Sequence, residues 1–192
     1  MKIASILPYK ENYTNNGAGA VALWVKEFIG FSKYKKTTTV YGYTSHKNYL
    51  SKHYKNIKIN TINSKLYSTT KEYSKKLLSV IKDEKFDIIE IHNRPVMVNE
   101  FVKNNKFKII LYFHNDPTTM KGAKTVSERR QLLNNVDKII FISKWVKKKF
   151  FENLEVDSHG KTEIIYHSVN KLNKFNYKRK KLIIFVGKLN KS

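Results

Sequence analysis

The apolar positions of this chain switch repeatedly between short strand-like runs and helical stripes. Ile3 to Leu7 is an apolar run closed by Pro8, and a polar loop follows from Tyr9 to Asn16. After Gly17-Ala18-Gly19 come Val21, Trp24, Val25 and Phe28 on one helical stripe, widened by Ala22 and Ile29, which predicts a helix over Ala20 to Phe31. Thr38 to Tyr43 reads as a β-branched and aromatic strand, and Ile57 and Ile59 alternate as a short one. An amphipathic helix is predicted over Ser64 to Lys85, with Leu66, Tyr73, Leu77, Leu78 and Ile81 as its apolar stripe.

The second half repeats the alternation. Phe86 to Ile91 is a strand running into His92-Asn93-Arg94-Pro95, and Pro95 suits the first position of a helix over Val96 to Asn104. Phe107 to Phe113 is a strand closed by His114-Asn115-Asp116-Pro117. A helix near Val126 to Asn134 follows, with Ser127 as its expected cap. Val136 to Ile142 is a strand, Ser143 caps a helix over Lys144 to Asn153, and Glu163 to Tyr166 is the last strand of the series.

Near-continuous apolar strands alternating with helices predict an α/β fold, a Rossmann-like parallel sheet with helices on both faces. Ligands in such sheets bind beyond the carboxyl ends of the strands. The loops expected to matter are therefore Tyr9–Gly19, His92–Pro95, His114–Gly122, Ser143 and His167–Asn170. Residues 1–170 make the expected domain and 171–181 a basic linker. Residues 182–192 look like the first strand of a second domain that the chain lacks.

Composition narrows the chemistry. With 192 residues, 41% of them hydrophobic, a sizeable core is available despite a formal net charge of +23. There is no cysteine, which removes disulfides and thiolate metal sites. No apolar run approaches a membrane span, and the N-terminus does not read as a signal peptide, so a cytoplasmic location is expected. The positive charge is mostly scattered Lys. Only Arg94, Arg129, Arg130 and Arg179 carry the planar fork that clamps phosphates or reads bases. Nucleic-acid binding is disfavoured by the missing motifs, while an anionic membrane surface is retained as a partner.

Several residues carry candidate chemistry. Gly17-Ala18-Gly19 before a helix reads as a backbone cradle for an anion, or as a flexible loop with a glycine N-cap. A nicotinamide or flavin site is disfavoured, because no Asp or Glu stands between Glu27 and Glu72 to hold a ribose. His92 and His114 end adjacent central strands, where imidazoles bond hydroxyls or phosphates, or serve as structural groups. Arg94 faces a phosphate or pairs with Glu90 or Asp116. No Asp-x-Asp, HExxH, Walker A or GxSxG motif is present. Ser143 to Phe151 combines Trp145 with a lysine cluster. It reads either as a helix on anionic lipid or as an ordinary helix with Val146 and Phe150 inward.

The order of these motifs resembles the N-terminal domain of a family-four glycosyltransferase, the retaining, nucleotide-sugar-dependent type with two facing Rossmann-like domains (GT-B). The matching stretches are the Gly17–Gly19 loop and its helix, Asp87 to His92, Leu111 to Asn115, Val136 to Ser143, and Ile164 to Asn170. Phe185-Val186-Gly187-Lys188-Leu189 looks like the opening of the family's C-terminal domain. The resemblance implies His114 near the transferred sugar as the catalytic residue. It implies donor and acceptor contacts from Gly17, Ala18, Gly19, His92, Asn93, Arg94, Asn115, Ser143 and Lys188. It also implies a nucleotide-diphosphate sugar as substrate, a cell-envelope polysaccharide or lipid-linked acceptor, and no metal or other cofactor. The family's paired glutamates would lie beyond Ser192, so this chain alone is expected to transfer no sugar. His167-Ser168-Val169-Asn170 departs from the family's asparagine-glycine-valine-aspartate. The rival readings are a non-catalytic Rossmann-like binding module and a basic nucleic-acid binder.

Overall fold

The computed structural model describes residues 1–59, 68–103, 106–156 and 160–167. Among these residues seven parallel strands form one sheet in the order β3-β2-β1-β4-β5-β6-β7. They are β1 (Ile3–Ile6), β2 (Thr38–Gly42), β3 (Tyr54–Asn56), β4 (Ile88–His92), β5 (Lys108–Phe113), β6 (Lys138–Phe141) and β7 (Thr162–Ile164). The helices are α1 (Ala20–Phe31), α2 (Thr69–Ile81), α3 (Val98–Val102), α4 (Val126–Asn135) and α5 (Lys144–Phe151). The chain builds outward from β1 to β3, then returns to pair β4 on the other side of β1. Right-handed crossovers running in opposite directions put their helices on opposite faces. The strand order therefore reverses between β1 and β4, which opens a crevice at their carboxyl ends.

The two faces are unequal. One apolar cluster joins Ala4, Ile6, Ile89, Ile91, Leu111, Phe113, Ile139 and Phe141 to residues of α2, α3, α4 and α5. The smaller cluster joins Leu7, Val40, Tyr112 and Ile140 to Val21, Ala22, Trp24 and Val25 of α1. Strand side chains alternate between faces, so Ser5, Glu90, His92 and Tyr112 all share the α1 side.

Several boundaries depart from the sequence reading. The short strand is Tyr54–Asn56 instead of Ile57–Ile59, because Tyr54 pairs Val40 and stacks on buried Tyr13 at 5.0 Å. Pro95 opens a 3-10 turn, Pro95–Met97, before α3 takes over at Val98, where a continuous helix from Val96 was expected. The cap of α4 is Thr125, not Ser127: its hydroxyl accepts from Glu128 N, and Glu128 answers with a bond from Thr125 N. That Thr-x-x-Glu capping box was present in the sequence. Of the helix expected over Ser64 to Lys85, Thr69–Ile81 is helical, and Leu66 lies outside the described residues. The basic linker, the strand from Leu182 and Lys188 lie outside them too.

Candidate functional site

At the β1–β4–β5 tips a line of polar side chains runs through the α1 face. Ser5 Oγ lies 2.9 Å from His92 Nε2, His92 Nδ1 lies 3.1 Å from His114 Nε2, and His114 Nδ1 lies 3.4 Å from His167 Nε2. Behind Ser5, in register on β4, stands Glu90, whose Oε1 accepts from Tyr112 Oη at 3.2 Å. Trp24 of α1 covers the line, with its rings 5.8 Å from His92, 4.9 Å from His114 and 5.7 Å from His167. Tyr112 stacks on His92 from the sheet side at 4.5 Å. Ser5, Glu90, His92 and His114 are all buried, and His167 is the member that reaches the surface.

Burial decides the protonation. His92 is held well below the ordinary imidazole range by desolvation and then by the neighbouring His114. His114 is pushed down to about 3 by the same burial and by His167, and His167 itself is lowered by burial. All three rings are therefore neutral near pH 7, each with one N–H and one bare nitrogen. Glu90 moves the other way, raised to about 7 by burial against the lowering pull of the neighbouring Tyr112 and Ser5 hydroxyls. Tyr112 is raised by burial and by the Glu90 carboxylate.

The other expected site residues fall into distinct roles. Asn93 sits at φ 51, donates its N–H to Tyr112 O and accepts from His114 N at 2.7 Å, so it ties the tip of β4 to that of β5. Arg94 bonds the Asn93 carbonyl at 2.8 Å instead of pairing Glu90, whose Oε1 is taken by Tyr112. Asn115 is exposed beside His114. Ser143 caps α5 by accepting from Val146 N. Arg129 is buried and spends its fork on the carbonyls of Ala123, Lys124 and Glu152, so it is a strut, not a phosphate clamp.

The glycine loop behaves as an anion cradle, and the anion is internal. Glu11 reaches the first turn of α1, where Ala22 N donates to its Oε1 at 3.1 Å. A β-carbon on Gly19 would come within 2.1 Å of that same oxygen, so the glycine makes room for the carboxylate. Gly17 at φ 113 supplies the left-handed turn before it. Ala18 packs against the α1-side cluster.

The structure joins His92 and His114, which the sequence placed at the ends of central strands, to Ser5, Tyr112 and His167, which sequence reasoning did not assign as their partners. Trp24 was assigned to the helix core, and it is also the lid of the histidines. A period-two reading of Ser5, Glu90, His92 and Tyr112 would have flagged polar groups on an otherwise apolar buried face. A cleft of about 730 Å³ lies at the opposite end of the sheet between Leu78, Lys82, Lys85, Phe86 and Phe107. It is not at the carboxyl ends of the strands, where parallel sheets bind ligands.

A parallel sheet with a strand-order reversal and polar tips is the frame of a Rossmann-like ligand-binding domain. Residues 38–171 match Glycosyltransferase Family 4, and the chain belongs to that family. It is similar to YtcC of Bacillus subtilis (strain 168), which is named as a glycosyltransferase. The two are 26% identical over 137 residues, covering 61% of this chain and 33% of YtcC. The fold resembles that of sucrose-phosphate synthase from Thermosynechococcus elongatus, at a TM-score of 0.57 and 11% identity. That match covers 86% of this chain and 48% of the synthase. A second structure under the same synthase name gives 0.59 at 12% identity, covering 88% of this chain and 91% of that one. The chain thus spans a third of its curated relative and about half of the full synthase chain.

Proposed function

We propose that this chain forms the acceptor-side half of a glycosyltransferase that uses a nucleotide-diphosphate sugar. In this reading the opposing, donor-binding half corresponds to the part of the relatives' length that the match leaves uncovered. The acceptor is a cell-envelope polysaccharide or a lipid-linked glycan. The observation that carries the proposal is the Ser5–His92–His114–His167 line ending at the strand-order reversal beneath Trp24. Neutral imidazoles there serve sugar hydroxyls, as donor or acceptor, without imposing a fixed charge. His114 is the residue nearest the transferred sugar, with Asn115 and His167 beside it.

The transfer itself needs charge stabilisation more than a protein base. A departing diphosphate develops negative charge, which backbone N–H groups at a helix start and nearby cations stabilise. In a retaining transfer the leaving phosphate takes the acceptor proton. Gly17, Ala18 and Gly19 at the start of α1 supply the backbone groups, once Glu11 gives way. His92, Asn93 and Arg94 support the tip from β4, and Ser143 supports it from the neighbouring helix start.

A membrane-surface location is part of the proposal. On α5, Val146 and Phe150 are buried, while Trp145 is 54% exposed beside Lys144 and Lys148. An exposed indole among lysines suits the headgroup region of anionic lipid. Among the described residues no helix is long and apolar enough to cross a membrane.

The test is titration of the ¹⁵N-labelled chain with glucose, N-acetylglucosamine and their short oligosaccharides as acceptor mimics. Shifts confined to Trp24, Asn93, His114 and His167 support the reading. No response, or one centred on the Lys82–Phe107 cleft, overturns it. Co-sedimentation with phosphatidylglycerol vesicles, lost on Trp145→Ala, supports the membrane part, and equal sedimentation by that variant removes it.

A further inference from the structure

We propose that Glu90 sets, through Ser5 and His92, the tautomer of His114, and thereby decides whether His167 offers a ligand a hydrogen-bond acceptor or a donor. The inference rests on the side-chain line alone and holds or fails apart from the sugar-transfer reading. Each link has one proton to place. A Ser hydroxyl donates once, and a neutral imidazole donates from one nitrogen and accepts at the other.

When Glu90 is a carboxylate it accepts from Tyr112 and draws the hydroxyl of its register neighbour Ser5 as well. Ser5 Oγ must then accept from His92 Nε2–H across 2.9 Å. That leaves His92 Nδ1 bare, so His114 Nε2–H donates to it across 3.1 Å. His114 Nδ1 is bare in turn and accepts from His167 Nε2–H at 3.4 Å. His167 then shows a bare Nδ1 to the surface, which suits a sugar hydroxyl donating its proton.

When Glu90 carries a proton the line reverses. The carboxyl donates to Ser5 Oγ, and Ser5 donates to His92 Nε2. His92 Nδ1–H then donates to His114 Nε2, and His114 Nδ1–H donates to His167 Nε2. His167 now presents Nδ1–H, which suits a phosphate or carbonyl oxygen. These two senses leave every member satisfied, and burial makes an unsatisfied member costly. The groups facing Glu90 are Ser5 of β1 and Tyr112 of β5, with Glu163 of β7 acting on Tyr112 and the Trp24 ring of α1 over His92 and Tyr112. His92 and His114 titrate far below neutral, so between about pH 5.5 and 8.5 these two rings change tautomer, not charge.

The experiment uses the ¹⁵N-labelled 192-residue chain and long-range ¹H–¹⁵N spectra, which separate Nε2–H from Nδ1–H imidazoles. His92 and His114 should be Nε2–H tautomers in the alkaline samples and exchange to Nδ1–H together as the pH falls through neutral. Glu90→Gln, whose amide donates to Ser5, should hold both rings as Nδ1–H across the range. Ser5→Ala should leave their tautomers unresponsive to pH. Unchanged tautomers in wild type across the range overturn the proposal, as does an intact response in Ser5→Ala. Should Glu90→Gln lose its native amide spectrum, the wild-type titration and Ser5→Ala decide the matter alone.

Discussion

Replacing Glu90 with glutamine takes a titratable proton out of the interior while keeping the shape and the oxygen that accepts from Tyr112. The wild-type group has its folded pKa raised to about 7 from an ordinary 4.5. A carboxyl raised in this way holds its proton more tightly when folded than when unfolded. Its protonation therefore favours the fold, and stability falls as pH rises from the unfolded value through the folded one. Between pH 5 and pH 8 the linkage comes to about 2 to 3 kcal/mol lost from wild type, at about 1.4 kcal/mol per unit. Glutamine has no such loss. In urea unfolding at both pH values, the stability of Glu90→Gln relative to wild type should improve by about that amount on going to pH 8. The comparison within one pH cancels every other group. A difference that stays constant, or that moves against the glutamine variant as pH rises, would refute the reasoning that burial of an ionisable Glu90 controls this face.

Three further outcomes follow from the structure. His114, lowered to about 3 by burial, must be neutral in the fold, so its contribution is present above pH 6.5 and lost as pH falls. In the Glu90→Gln background, His114→Asn should shrink the stability lost between pH 7 and pH 5 by about 2 kcal/mol, read by urea unfolding, while buried His92 keeps its own share of the slope. Gly19→Ala keeps an ordinary backbone but drives its β-carbon into the Glu11 carboxylate. It should destabilise by about 1 kcal/mol, and the effect should vanish in Glu11→Ala, because the carboxylate's bond to the start of α1 is what it displaces. Gly122→Ala forces φ 92 on an alanine and places its β-carbon 2.6 Å from Val96 N, so thermal unfolding should show a loss of at least about 2 kcal/mol.

The α/β alternation was legible because parallel strands buried on both sides read as unbroken apolar runs, as in Ile109 to Phe113 and Ile139 to Ile142. The positions of His92 and His114 were legible because each ends such a run. What escaped was whatever depends on cross-strand register. Nothing local says that Ser5 stands beside Glu90, eighty-five positions away, or that Tyr112 lies level with His92. Glu11 escaped for a similar reason: a loop carboxylate eleven residues before Ala22 becomes its partner only once Tyr13 is buried and the loop folds back. Ends of helices were misplaced where tertiary geometry shortens them, as at Pro95, whose 3-10 turn lets α3 start late.

The division of labour between the two faces explains why the polar line survives in the interior. The α2–α5 side carries the larger apolar cluster, so most of the sheet's apolar packing lies on the face away from the polar line. That imbalance lets Ser5, Glu90, His92 and Tyr112 occupy positions where a buried strand would ordinarily hold Val or Ile. The cost of burying them is offset only while the line is complete, since an orphaned polar group in a dry interior is penalised in full. Trp24 keeps the site dry, and Asn93 fixes the approach of β4 to β5 on which the 3.1 Å ring contact depends. A loosened lid would admit water, give each imidazole a second partner, and dissolve the directional order that couples Glu90 to the surface. The fold thus holds its chemistry on the lightly covered face, with rigidity supplied from the other side.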